Sequence, residues 1–499
     1  MKDPNVPADI CRVASSRNRG ALRRAEALSR VALVCVDAMA RMQPCLARNE
    51  LTAARAAGWT AEPAIRRTVT RLAVLRKRAP VLRRLLGAAT GPRYFYAGQA
   101  YYNHWYLSRE LRLRGAKTWL YDWDTNPASE LYYHGRDERP DLSAPDARPR
   151  LAARVVDWLL GYDVFAFANA HALTFGWQVD TALGDLGWEP GAALQLARDL
   201  GKVIVYLNNG CLDGVTQTSF ARWAGPESVC AVCRWRNTPA VCSDERNRAW
   251  GEFRNTHADF QMLLGGNRAD YNLAPNIREV PHAYCLDPEV WHPDLPVPDE
   301  YRLASSPGQL RLFHAVGNFD ERTDESGVNI KSTHHYRRIV GELKAQGYPV
   351  EFLFIPGRVP NKVLRFHQVQ SDVFLDMLSF GWFGATAREA MMLGKPVICY
   401  IRPEWLEQVR VEIPDYAAEL PVISATPDTA GERLRELIEQ PRLRAEIGAR
   451  SRRFAEKWHS SRAAAPVFER IYRQLQANTR AGRVRAPIDI YPGGVPFVR

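Results

Sequence analysis

Long hydrophobic runs are missing from this chain of 499 residues. The longest apolar run near the start, residues 31–36, stops at Asp37 and is far too short to span a bilayer. The first ten residues carry Asp3 and Asp9 and lack the layout of a signal peptide, so we expect no secretory leader. Low-complexity tracts are also missing, and 46% of the residues are hydrophobic, which predicts a globular protein long enough for two domains.

Cysteine is scarce and scattered, with nine residues that form no compact framework along most of the chain. Such usage is typical of a reducing compartment, where disulfides do not persist. We therefore expect a cytoplasmic protein. An Asp-x-Asp pattern in a setting that suggests a catalytic metal is also missing, so we expect no catalytic metal ion.

Acidic residues are depleted from the first 90 positions, which hold 18 Lys or Arg against 6 Asp or Glu. The remaining 409 positions hold 49 of each sign, so the whole excess of +12 lies in this segment. Residues 19–42 and 65–86 read as helices, and the second mixes Val and Leu with Arg as surface-lying basic helices do. The segment predicts contact with an anionic membrane surface, or a packed helical subdomain with a solvated basic face. Nucleic acid is disfavoured as a partner because no nucleic-acid motif is present.

A βα alternation begins at Arg93. Residues 93–97, 118–121, 163–168 and 202–207 read as strands, and residues 101–114 read as a helix that ends at Gly115. This order predicts a Rossmann-like half with a parallel sheet, and Gly98 follows its first strand as a candidate cleft residue. A Pro-rich stretch at 293–298 then marks a boundary, and strands at 310–315 and 350–355 flank a helix at 332–346.

The centre of the second alternation is the stretch 372–404. Apolar runs at 372–378 and 396–401 read as strands around a helix at 385–393, which closes on Gly394. Such a βαβ unit places a ligand crevice at the carboxyl ends of its strands. Glu389 is the one acidic residue within the helix, and by pattern alone a solvent-facing position would explain it.

The segment Arg388-Glu-Ala-Met-Met-Leu-Gly-Lys-Pro-Val397 resembles a motif of the retaining, nucleotide-sugar-dependent family 4 glycosyltransferases. In that family two glutamates eight positions apart line the donor site, and the second holds the ribose. Glu389 matches the second, whereas Gly381 stands where the first would be. The Val-Pro at 280–281 is similar to the family's interdomain linker. The resemblance therefore implies a GT-B fold, in which two Rossmann-like domains face a cleft.

The loop that ends at Lys331 carries the second part of the resemblance. His314, Asn318 and the sequence Asn329-Ile-Lys-Ser332 are similar to the family element that grips the donor phosphates, with Ser332 in place of the usual Gly. A Lys beside a helix start suits a diphosphate, although a Lys at a loop end is usually just solvated. The resemblance implies that Lys331 and Arg322 neutralise the leaving diphosphate and that Glu389 fixes the ribose. It also implies donor contacts for Asn318, Gly384 and Ala385.

Four of the cysteines form a second candidate site. Cys230 and Cys233 make a C-x-x-C pair, and Cys242 and Cys211 lie nearby along the chain. This pattern predicts a structural zinc ion, and unpaired buried thiols are the alternative.

The sequence thus predicts four segments: a basic helical extension at 1–90, an acceptor domain at 91–290, a nucleotide-sugar domain at 291–478 and an extended tail at 479–499. The expected function is transfer of a sugar from a nucleotide-sugar donor to a glycan or lipid-linked acceptor, as in polysaccharide biosynthesis. We expect this transfer to retain the anomeric configuration and to need no metal ion. The basic extension would hold the enzyme peripherally at the inner membrane face. The alternatives are a non-catalytic GT-B scaffold and a GT-B-like sugar-nucleotide epimerase.

Overall fold

The computed structural model describes residues 92–99, 101–141, 147–168, 172–185, 188–208, 210–211, 213–223, 227–263, 268–304 and 307–492. They form two α/β domains, each built around one parallel sheet. The predicted fold class, α/β with two domains that are each built on a parallel sheet, is confirmed for these residues. The predicted N-terminal helices lie outside the described residues.

The first domain holds a six-stranded sheet in the order β2-β1-β3-β4-β5-β6, with every pair of neighbours parallel. Its central strands are almost entirely buried because helices cover both faces, and their runs of aromatic and β-branched residues suit that position. The strands are β1 (Arg93–Gly98), β2 (Lys117–Asp122), β3 (Val164–Ala168), β4 (Val203–Leu207), β5 (Phe260–Leu263) and β6 (Ile277–Glu279).

Helices form the crossover connections that neighbouring parallel strands need. They are α1 (Tyr102–Leu113), α2 (Ala147–Gly161), α3 (Trp177–Asp185), α4 (Ala192–Asp199), α5 (Gln217–Ala221) and α6 (Asp244–His257). Short 3-10 helices occur at Pro127–Tyr132, Asp270–Leu273, Pro281–Ala283 and Asp299–Tyr301.

The second domain holds a five-stranded parallel sheet in the order β11-β10-β9-β7-β8. Its strands are β7 (Leu310–Val316), β8 (Val350–Pro356), β9 (Val373–Leu375), β10 (Val397–Cys399) and β11 (Ile423–Ser424). Its helices are α7 (Phe319–Arg322), α8 (Thr333–Ala345), α9 (Asn361–Val369), α10 (Ala385–Met392), α11 (Pro403–Glu412), α12 (Pro414–Glu419), α13 (Ala430–Glu439) and α14 (Pro441–His459).

The last helix, α15 (Ser461–Arg480), crosses back to the first domain. It packs against α1 and β4, and the ring of Tyr472 lies 4.6 Å from that of Tyr94. Tyr472 also donates a hydrogen bond to the Tyr96 hydroxyl at 3.4 Å. The two domains therefore share one continuous apolar core rather than meeting only through a linker.

Among the described residues, no helix combines the length and the apolar character needed to cross a membrane. The strands predicted in the two alternations are all present, with bounds shifted by a few residues. Three short strands, β5, β6 and β11, were not predicted. Each has four residues or fewer, which is short for a periodic pattern, and unlike the equally short β9 and β10 none directly flanks the helix predicted at 385–393.

Candidate functional site

The turn between β9 and α10 lies at the carboxyl end of the second sheet, where parallel α/β sheets place their ligands. Gly384 is the N-cap of α10, and its backbone N–H donates to the Asp376 carboxylate at 2.6 Å. The Lys331 ammonium reaches the other oxygen of the same carboxylate at 3.3 Å. A helix N-terminus and a lysine side chain thus converge on one anionic group.

This convergence brings together two residues predicted from sequence. A Cβ atom added to Gly384 would lie 3.0 Å from the Lys331 ammonium, so a glycine gives the lysine side chain its closest approach to the helix end. Free N–H groups and the dipole at a helix N-terminus favour an anion, and the ammonium adds a full positive charge. Ala385, the first residue of α10, lies at the same helix end.

Asp376 is the residue that sequence reasoning missed. Only 2% of its surface is exposed, and its carboxylate accepts hydrogen bonds from both the Lys331 ammonium and the Gly384 N–H. The signal was an acidic residue inside the apolar run at 372–378, immediately after β9. It was overlooked because the whole run was predicted to be a strand, whereas the strand ends at Leu375.

Lys331 is positioned by a tightly bonded loop. The Asn329 side chain accepts hydrogen bonds from the Lys331 N–H at 3.0 Å and from the Thr333 hydroxyl at 3.2 Å. Ser332 has φ 63 in the left-handed region, which explains why the resembling family has a glycine there. Its hydroxyl accepts a hydrogen bond from the Leu378 N–H at 2.9 Å, which offsets part of the strain.

Asn318 and Arg322, the other two residues predicted in this loop, make no described contact with the Lys331 ammonium. Asn318 also adopts a left-handed conformation, with φ 53, and its side-chain oxygen is buried without a hydrogen-bond partner in the structure. Arg322 ends α7 and is exposed to solvent. The described contacts of the Lys331 ammonium do not include Arg322, so the role of Arg322 stays a prediction.

Glu389 is fully buried instead of solvent-facing. Its carboxylate accepts hydrogen bonds from the Tyr102 hydroxyl at 2.8 Å, the Asn361 amide at 2.9 Å and the Gln368 amide at 2.8 Å. Burial raises the pKa of Glu389, and the three donors oppose that shift. Because Tyr102 belongs to the first domain, the carboxylate joins the two domains across 287 residues of sequence.

This arrangement bears on the ribose role implied for Glu389. A ribose could reach the carboxylate only if Tyr102 or another donor moved aside. Gly381, where the family's first glutamate would stand, has φ 85, and a Cβ there would lie 2.9 Å from the Cβ of Arg402. A glutamate at this position would be strained, so the turn itself favours glycine.

Gly98 ends β1 with φ 137, and a Cβ there would lie 2.1 Å from the carbonyl oxygen of Ala168. Close packing of two strands thus explains this glycine, and its predicted ligand contact stays a prediction. Nearby, a cavity of ≈ 50 Å³ lies between the domains. Ligand pockets usually measure about 300–1,000 Å³, so this part of the cleft is closed to a nucleotide sugar in this conformation. Residues of both domains line it, among them Tyr101, Tyr132, Gly317, Asn361 and Thr386.

The four cysteines lie close together: burial and the neighbouring thiols of Cys230, Cys233 and Cys242 all raise the pKa of Cys211. Burial raises the pKa of Cys211, Cys230 and Cys242. Among the described residues, one group of three His, Cys, Asp or Glu side chains has all its ligand atoms within 4.8 Å of one another, and it contains no cysteine. The zinc site at Cys211, Cys230, Cys233 and Cys242 therefore stays a prediction.

Comparisons with known proteins give little beyond the fold. No protein-family model matches the chain, and no curated protein does. Among solved structures, sucrose-phosphate synthase from Thermosynechococcus elongatus is similar over 77% of this chain and 99% of its own, with 15% identity and a TM-score of 0.45. Anabaena HepE in complex with UDP and glucose covers 78% of this chain and 100% of its own, with 12% identity and a TM-score of 0.43.

The UDP complex of MnaA from S. aureus is similar over 79% of this chain and 98% of its own, with 13% identity and a TM-score of 0.40. Likeness at these scores decides nothing about the chemistry of this chain, which has to be inferred from its own residues.

Proposed function

We propose that the protein is a glycosyltransferase that takes a sugar from a nucleotide-sugar donor and binds the donor diphosphate at Lys331 and the N-terminus of α10. The observation that carries this proposal is the convergence of the Lys331 ammonium and the Gly384 N–H on one carboxylate at the carboxyl end of the sheet. A diphosphate offers the same kind of oxygen atoms, with more charge.

The chemistry follows from what such a site stabilises. Sugar transfer passes through an oxocarbenium-like state while negative charge grows on the departing diphosphate. Fixed donors aimed at that growing charge lower the barrier because they need no reorganisation during the step. Lys331 and the α10 N–H groups supply them from side chain and backbone. We therefore propose a metal-independent departure of the diphosphate and, by the family resemblance, retention at the anomeric carbon.

Asp376 has a defined place in this scheme. In the closed cleft its carboxylate satisfies both positive groups, so the donor diphosphate must displace it or share the site with it. The cavity of ≈ 50 Å³ is much smaller than a usual ligand pocket, which supports the proposal that the cleft widens before a nucleotide sugar enters. We propose that donor binding couples these two events, with Lys331 exchanging an internal carboxylate for a phosphate.

Nucleotide binding tests the donor site. UDP and UDP-glucose, which are present in structures of HepE, are practical first probes, followed by GDP, ADP and their sugar conjugates. A ligand that binds the folded state raises its apparent melting temperature. Lys331→Ala is expected to lower the affinity about tenfold to a hundredfold, since a charge-assisted hydrogen bond contributes about 1.5–3 kcal/mol.

The matched control is Lys344→Ala, which removes an exposed lysine from α8, the helix that follows Lys331. It should bind the nucleotide like the parent. If no nucleotide in the panel binds, or if Lys331→Ala binds as well as the parent, the donor site is assigned wrongly.

A second candidate is a non-catalytic GT-B scaffold, and two observations favour it. Glu389 already accepts three hydrogen bonds from protein donors, and Gly381 cannot supply the other family carboxylate. Donor hydrolysis separates the candidates, because a transferase without acceptor slowly releases free sugar from its donor whereas a scaffold does not. An epimerase would instead convert the sugar nucleotide to its epimer without any acceptor.

The acceptor and the location rest on the sequence alone. We propose a glycan or lipid-linked acceptor bound by the first domain, a cytoplasmic location, and attachment of the basic segment 1–90 to an anionic membrane surface. Each Lys or Arg near such a surface contributes about 1 kcal/mol, so several of the 18 in this segment suffice together.

A further inference from the structure

A second cluster lies where the first domain meets the start of α8. Glu227, from the loop after α5, accepts a hydrogen bond from the Ser379 hydroxyl at 2.6 Å. The same carboxylate oxygen lies 3.2 Å from Nε2 of His335, which belongs to the second domain. Ser379 is buried in the turn that also carries Asp376. The cluster therefore bridges the cleft beside Lys331.

His334 completes the cluster. The rings of His334 and His335 have centroids 4.0 Å apart in the first turn of α8, although neighbouring residues on a helix usually diverge. Nδ1 of His334 is buried and has no hydrogen-bond partner in the structure. One ligand atom from each of Glu227, His334 and His335 lies within 4.8 Å of the other two. An ion pair explains the contact between Glu227 and His335, but it does not explain why the buried Nδ1 of His334 has no hydrogen-bond partner.

We propose that Glu227, His334 and His335 form a binding site for a divalent transition-metal ion, with Zn²⁺ the best fit. Two imidazoles and a carboxylate are a ligand set that proteins use for such ions. Bonds of about 2.0–2.1 Å in a tetrahedral site separate neighbouring ligand atoms by about 3.3 Å. The 3.2 Å between Glu227 and His335 already meets that separation, and small side-chain rotations bring in His334.

Ser379 acts as a positioning residue in this site. Its hydroxyl donates to the oxygen of Glu227 that faces His335, and so fixes the direction of the carboxylate. Hydrogen bonds of this kind typically change metal affinity about 10-fold to 100-fold when they are removed.

The site has a consequence for the cleft. Because Glu227 lies in the first domain and both histidines lie in the second, a bound ion joins the two domains. The ion binds most tightly where all three ligands meet, so it shifts the population towards the closed cleft.

Cobalt titration of the untagged full-length protein tests the proposal. Co²⁺ reports its ligands by absorption, since thiolate ligation adds charge-transfer bands that nitrogen and oxygen ligands lack. The spectrum thereby separates this site from any metal held by the four cysteines. Apart from any Co²⁺ that shows thiolate bands, we expect about one Co²⁺ per chain bound without them, and its displacement by Zn²⁺.

Variants locate the ion. Glu227→Gln and His335→Gln should each weaken this binding by about tenfold or more, and Ser379→Ala by about 10-fold to 100-fold. Glu342→Gln, which changes an exposed carboxylate on the same helix, should bind like the parent. His334→Gln provides a further ligand variant if one of the others does not fold. The proposal is overturned if the parent binds no Co²⁺ outside thiolate ligation, or if folded ligand variants bind it as the parent does.

Discussion

Asp376→Asn should strengthen nucleotide binding, which is the opposite of what loss of a site residue usually does. In the closed structure the Asp376 carboxylate neutralises Lys331 and caps α10, so it competes with a diphosphate for both groups. Asparagine has nearly the same shape and keeps an oxygen for the Gly384 N–H. The substitution therefore keeps the shape of the side chain, removes its negative charge and leaves the Lys331 ammonium without its anionic partner.

The size of the effect follows from Coulomb's law. A carboxylate about 4 Å from a phosphate charge repels it by about 4 kcal/mol at an effective dielectric constant of 20. Water that enters the opened cleft screens part of this repulsion. We expect about 1.4–2.7 kcal/mol of tighter binding, or about tenfold to a hundredfold in affinity. Lys331→Ala acts in the other direction, because it removes the positive partner of the diphosphate.

Isothermal titration with the nucleoside diphosphate that binds best measures both variants against the parent. Asp372→Asn is the matched control, since Asp372 lies at the amino end of the same strand and accepts from the Arg311 N–H at 2.7 Å, away from the cleft. Because replacing Asp376 removes the partner of the Lys331 ammonium, a melting curve of each variant is needed to confirm folding. Equal or weaker binding by a folded Asp376→Asn variant would refute the view that this carboxylate competes with the ligand.

Four further predictions concern Glu389, the cysteines and the basic segment. Glu389→Ala should lower the free energy of unfolding by about 3–5 kcal/mol in chemical denaturation, because three buried donors lose their acceptor at about 1–3 kcal/mol each; a loss below 1 kcal/mol would contradict this. Burial raises the pKa of Glu389 above its ordinary 4.5, so its protonated form favours folding: the parent should lose stability relative to Glu389→Gln as the pH rises from 4.5 through the folded pKa, and a flat difference would contradict this. If Cys211, Cys230, Cys233 and Cys242 hold zinc, elemental analysis should find about one thiolate-bound zinc per chain, and chelation should lower the melting temperature. Metal-free protein with alkylatable thiols and full stability would exclude this zinc site. Deletion of residues 1–90 should abolish sedimentation with anionic vesicles while leaving nucleotide binding intact, and salt should weaken the parent's attachment over a screening length of about 8–10 Å; a parent that ignores such vesicles at low salt would exclude the membrane role.

The βα alternation could be read from the sequence because each element carries its own signal. The apolar runs that became β7 and β8 have the composition of buried strands, and the apolar positions of α8 recur every three or four residues. Lys331 could be named for the same reason, since it stands directly before a helix start. Such features depend on neighbours within a few residues, so the chain determines them locally.

Only the tertiary structure decided which groups meet in the site. Glu389 looked like a ligand residue or a solvent-facing one, but packing turned it inward to Tyr102, 287 residues away. Glu227 contacts His335, 108 residues away, and no sequence pattern near either residue predicts this contact. Asp376 faces Lys331 because β9 ends one residue before it, and a strand end is set by the neighbouring strands. Contacts of this kind arise from how whole elements pack, and no local pattern encodes them.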